Sequence, residues 1–121
     1  MPIDYTIREG LLTGAASGVL DDATLLAYVR AVMADPAYET AVADLFDARA
    51  VTSVQLTAEG IRTIATIIRQ SGRSSTRVAV VAESPTMFGM ARMFGQLRDD
   101  IEVVVFRDPD AALEWVRAPT I

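Results

Sequence analysis

Four small groups of side chains in this sequence have the types and spacing to do chemistry. Thr57 opens an apolar-periodic segment, with Thr52 and Ser53 in the loop before it. A hydroxyl at that point caps a helix by accepting from a free backbone N–H. It is also where an added phosphate would meet the positive end of the helix dipole. Asp47 and Arg49 bracket the end of an apolar run. At the carboxyl edge of a parallel strand they could pair with each other or recognise a partner or ligand. Ser84, Pro85 and Thr86 make a second helix start, a capped turn with donors free for an anion. Neither GxGxxG nor GxxxxGK[ST] accompanies it. On a wheel of about 100° per residue, Met87, Met90, Phe94 and Leu97 share one face of that helix, and Phe88 and Arg92 fall outside it.

What is missing narrows the chemistry. The chain has no histidine and no cysteine, and all eleven of its basic residues are arginine. This removes Ser-His-Asp and thiolate catalysis, thiolate or imidazole metal sites, and a Schiff-base or P-loop lysine. Asp44, Asp47, Glu59 and Glu83 are the carboxylates near strand ends and helix starts, and their spacing pairs none of them for acid–base work. No enzyme, no metal and no cofactor is expected. A net charge of −5 without a basic tract argues against nucleic acid as a partner. The polar–apolar alternation of MPIDYTIREG is not that of a signal peptide, and no apolar run reaches membrane-spanning length. A cytoplasmic, single domain over residues 1–121 is the expectation.

The elements that must position these groups follow from periodicity. Ile3, Tyr5 and Ile7 alternate with polar residues in an edge strand, and Glu9-Gly10 turns it into a second strand over Leu11–Gly18. Gly14, Ala15 and Ala16 leave room there for something to pack closely. Asp21 caps a first helix that Asp35-Pro36 stops. A third strand is expected over about Val42–Asp47. Thr57 then opens a helix with Ile61, Ile64, Ala65 and Ile68 at core spacing, and Gly72 ends it before a linker over 72–76. Val78–Ala82 reads as a strand buried on both faces, Glu102–Phe106 as the last strand, and Asp108-Pro109 as the start of the last helix. The order ββαβαβαβα implies an α/β fold. It is a mixed, mainly parallel five-stranded sheet with four helices, one layer of sheet with helices packed over it. The edge first strand permits a homodimer without requiring one.

This order, together with Asp47-Ala48-Arg49, the block Phe88-Gly89-Met90-Ala91-Arg92-Met93-Phe94, and Val105-Phe106-Arg107-Asp108 followed by Ala112 and Trp115, resembles the SpoIIAA-like proteins of the STAS and SEC14-like superfamily. The resemblance covers nearly the whole chain. It implies a STAS fold and a small, non-enzymatic domain that binds a protein partner, in a regulatory role. In the anti-sigma-factor antagonist branch a serine at the start of the second helix is phosphorylated to switch partner binding. Laid on this chain, that motif falls on Gln55-Leu56-Thr57-Ala58. Thr57 then stands as phosphoacceptor candidate, and the aspartate and glycine of the motif are absent. The expected partner surface joins the second-helix start to the loop between fourth strand and third helix, through Ser53, Thr57, Phe88 and Arg92. The SEC14-like side of the resemblance implies the alternative, a lipid or other apolar ligand, or a membrane surface, met by a mobile Met/Phe helix.

Overall fold

The computed structural model describes residues 3–72 and 76–118; part of the expected linker, 73–75, lies outside them. The order is β1 (Ile3–Arg8), β2 (Leu11–Asp21), α1 (Asp22–Ala34), a short 3-10 helix (Pro36–Thr40), β3 (Ala43–Gln55), α2 (Ala58–Ser71), β4 (Arg77–Val81), α3 (Pro85–Leu97), β5 (Glu102–Phe106) and α4 (Pro109–Arg117). The strands lie side by side in sequence order, with β1 antiparallel to β2 and every other pair parallel. This is the expected mixed α/β sheet.

Each helix begins on a side chain suited to its start. Asp21, Thr57, Ser84 and Asp108 cap α1, α2, α3 and α4, and prolines open α3 and α4. Gly72 closes α2 in the left-handed conformation, at φ 68°. Because the β2–β3, β3–β4 and β4–β5 crossovers all step the same way and crossovers are right-handed, α1, α2 and α3 fall on one face. The last helix has no further strand to reach and packs behind β3 and β4 on the opposite face. Helices therefore cover both faces of the single sheet layer.

The two faces divide the core. Phe46, Ala48, Val80 and Ala82 point into the main cluster under α1–α3, with Val29, Val32, Ile61, Ile64, Met87 and Ala91. Leu45, Ala79 and Val81 point the other way, to Ala112 and Val116 of α4. Alternation along β4 thus feeds both clusters, which is why its sequence is an unbroken apolar run. Gly14 makes room for Tyr28: a Cβ there would stand 2.5 Å from the tyrosine hydroxyl. On the face away from α1, the hairpin is polar and open, and Asp4, Thr6 and Arg8 are exposed.

Two strands are longer than expected. β2 runs on to Asp21, and β3 to Gln55, eight residues beyond its last partner in β4, Asp47↔Val81. Ala48-Arg49-Ala50 interrupts the apolar run and reads as a loop. Val51, Thr52 and Val54 then resume strand-forming side chains, and Val51 and Val54 pack on the main core. Register shifts near Ala15/Ser17 and Gly18/Val19 absorb the extra β3 residues. The consequence is a two-stranded parallel ribbon standing above the rest of the sheet.

Candidate functional site

The ribbon delivers the chain to two helix starts at the carboxyl edge of the sheet, and one carboxylate ties them together. Asp22, the first residue of α1, accepts from the Thr57 N–H through Oδ1 at 2.9 Å and from the Thr57 hydroxyl through Oδ2 at 2.5 Å. The same hydroxyl accepts from the Gly60 N–H at 3.0 Å, so it is a donor and an acceptor at once. Gly60 is needed for this approach, since a Cβ there would stand 2.2 Å from the Asp22 carboxylate. Thr57 is exposed, and an apolar-floored cleft opens beside it between α1 and α2, over Leu26 and Ile64. Ser53 sits two residues before the end of β3, where its hydroxyl accepts from Gln55 Nε2 at 3.3 Å.

On the other side of the sheet plane stand Asp47 and Arg49. Asp47 belongs to the alternating set of Ala43 and Leu45, which faces α4. Its carboxylate accepts from Arg49 Nε at 3.0 Å and Nη2 at 2.7 Å, and from the Arg49 backbone N–H at 3.0 Å. Those hydrogen bonds hold the Asp47 carboxyl below its ordinary range, against a smaller opposing effect of burial. The Arg49 guanidinium is correspondingly held more basic, first by Asp47 and more weakly by Glu83 and Asp110.

The third group lies at the start of α3. Ser84 is consumed as a cap, accepting from the Met87 N–H at 3.1 Å, and Thr86 is exposed one residue into the helix. Phe88 corrects the helical-wheel expectation of an aromatic apart from the core. It is half-buried, packs against the main cluster, and holds the Arg107 guanidinium 5.1 Å from its ring centroid. The reason is that α3 is wedged between α2 and β5, so its covered arc is wider than one stripe. Arg92 is exposed, seven residues along α3 and so about 10 Å from its start. The fold brings Thr57, Ser84, Thr86 and Phe88 to the carboxyl edge on the side of α1–α3; Ser53 reaches that edge but is paired with exposed Val19, on the face opposite to the core-facing pair Leu20 and Val54. Asp47 and Arg49 reach the same edge on the α4 side, and Arg92 lies away from it. Sequence reasoning missed Asp22, Gly60 and Arg107. The available signal was the doubled acid Asp21-Asp22, one more than a cap requires.

No cluster of three or more metal-binding side chains occurs among the described residues. Nor is any helix among them long and apolar enough to cross a membrane.

A five-stranded sheet opened by an antiparallel hairpin, with helix starts gathered at its carboxyl edge, is the fold of SpoIIAA-like STAS structures. An anti-sigma factor antagonist from Mycobacterium paratuberculosis is similar over 96% of this chain and 93% of its own, with a TM-score of 0.65 at 24% identity. SpoIIAA, an anti-sigma factor antagonist solved in its unphosphorylated form, matches 97% of this chain and 99% of its own, with a TM-score of 0.63 at 12% identity. An uncharacterized protein with a SpoIIAA-like fold from Shewanella loihica covers 94% and 91%, with a TM-score of 0.60 at 18% identity. No protein-family model and no curated protein matches the chain. The chain thus has the SpoIIAA-like STAS fold, as the family resemblance implied.

Proposed function

We propose that this domain is a non-enzymatic regulatory module that binds a protein partner through the start of α2 and the β4–α3 loop, with Thr57 as its switch. The observation that carries this reading is the hydroxyl of exposed Thr57, which donates to Asp22 and accepts from the Gly60 N–H. A phosphate added there would gain the α2 N-terminus but would set its charge against the Asp22 carboxylate. It would break the bridge between two helix starts, and a partner reading that surface would meet a changed shape and charge. Two of the similar structures are anti-sigma factor antagonists, which supports regulation by protein binding. The test is affinity capture from the source organism on immobilised wild-type, Thr57→Ala and Thr57→Glu protein. A partner kept by wild type and Thr57→Ala and lost on Thr57→Glu is the expected result. Equal retention on all three sinks the switch.

One observation favours a second reading, binding of an apolar ligand. A cavity of about 120 Å³ lies between the sheet and α1–α3, walled by side chains such as Val29, Ile64, Met87, Met90 and Phe94. The Tyr38 hydroxyl donates to Asp44 at 3.3 Å at its polar end. An apolar cavity of roughly 150 Å³ holds one benzene-sized molecule, so a lipid chain would require α3 to move outward. Native mass spectrometry and liposome co-sedimentation decide this: a clean apo mass and no co-sedimentation exclude it.

A further inference from the structure

The ribbon has an open side. Past Asp47, β3 has no partner in β4, and Ala50–Gln55 pairs only with β2 among the described residues. Among the described residues, no turn, loop or side-chain hydrogen bond to the backbone of residues 50–55 is present on the other side. Each residue of a strand sends its N–H and C=O to one side, and successive residues alternate. Half of the backbone groups of this stretch therefore face a vacant strand position. The stretch is about 20 Å long at the rise of an extended chain.

This edge differs from the outer edges of the sheet. β1 carries Asp4 and Arg8 along its exposed face, and β5 is only five residues long and starts on Glu102. Charge and shortness are the usual defences of a strand edge. Ala50-Val51-Thr52-Ser53-Val54-Gln55 has no charge and no proline, and it is rich in β-branched residues. It runs straight into Leu56 and the α2 start.

A strand added there would continue the line of β4. Its lower end would pass over the β4–α3 turn and the start of α4, where Glu83, Asp108 and Asp110 are exposed. The same end carries the Asp47–Arg49 pair and Arg107, which keeps its charge over the Phe88 ring, so the carboxylates there still outnumber the arginines. Glu83 stands two residues past Val81, the β4 partner of Asp47, and Asp110 lies in the first turn of α4, which packs on β3 and β4. The rim is acidic because helix N-termini gather at this edge and favour carboxylates.

We propose that the vacant edge of β3 between Ala50 and Gln55 takes an extended, arginine- or lysine-bearing segment of the partner protein as an added strand. Backbone hydrogen bonds supply the docking, and the acidic rim selects the charge. This inference rests on the partner-binding reading above and names the chemistry of the partner.

The test titrates the isotope-labelled full chain with an end-blocked peptide of about eight residues, alternating arginine with valine or threonine. Two controls match it: glutamate in place of arginine, and N-methylation of alternate backbone nitrogens with the charge kept. Slowing of amide exchange over Ala50–Gln55 by about tenfold is expected with the arginine peptide, with binding at least about tenfold weaker for either control. The proposal is overturned if the N-methylated peptide binds as well, if the shifts map elsewhere, or if the chain self-associates through this edge in ultracentrifugation. The same titration on Thr57→Ala separates the two readings. Protection that persists there, beside a partner indifferent to Thr57→Glu, leaves the edge standing and removes the switch. Thr57-controlled retention without protection of Ala50–Gln55 removes only the edge.

Discussion

Two Arg–Asp pairs of the same spacing sit at opposite ends of the sheet. Arg49 and Asp47, at the carboxyl edge, approach to 2.7 Å with side chains 43% and 24% exposed. Arg98 and Asp100, at the amino edge, approach to 2.8 Å, but the Arg98 side chain is only 2% exposed while that of Asp100 is 55% exposed. Bond lengths hardly distinguish them; burial does. At the amino edge arginines also close helix C-termini: Arg69 donates to the Leu97 carbonyl, and Arg77 to those of Trp115 and Ala118. That end is a lock. The carboxyl edge keeps its charged groups in water, where pairing stabilises little and the groups stay accessible.

Arg98→Ala should break the comparison most strongly. Losing a buried side chain and its bidentate pair should cost about 3 kcal/mol, read from urea unfolding. A loss too small to measure would mean that Arg98 is not part of a lock. Next come Asp22→Ala and Gly60→Ala, each expected to cost about 1–2 kcal/mol by undoing the bridge to Thr57. Because both act on one contact, the double variant should cost clearly less than the sum; additivity would disprove the shared mechanism.

Acid should act on the amino edge through Asp100, whose hydrogen bond from Arg98 lowers its carboxyl to about 2. The folded value lies below the unfolded one of about 3.9, so this contribution is complete above that value and is lost as pH falls from there toward 2. Thermal melts between about pH 5 and 2 should show a shallower acid limb in Asp100→Asn than in wild type. An unchanged limb would contradict the assignment. The smallest effect is expected for Arg49→Ala, whose unfolding midpoint should match wild type within error, because an exposed pair is screened.

Much of the fold was legible in advance because capping and periodicity are local. Ser84-Pro85, Thr57 and Asp108-Pro109 start helices where their side chains can satisfy N–H groups a few residues away. The length of β3 was not legible. Ala48-Arg49-Ala50 has no strand periodicity, and only pairing with β2 and contact of Val51 and Val54 with the core make it a strand. Asp22 was hidden for a similar reason, since its partner Thr57 is 35 residues away.

By itself, then, the sequence determined the order of the elements, the helix starts and the chemistry available: hydroxyls, carboxylates and arginines, with no histidine, cysteine or lysine. Tertiary structure alone decided which charges are buried, which carboxylate holds Thr57, and that β3 outruns β4 to leave an open edge. The reason is physical. Propensity and capping act over a few residues, whereas burial, pairing and vacancy depend on what distant segments bring alongside.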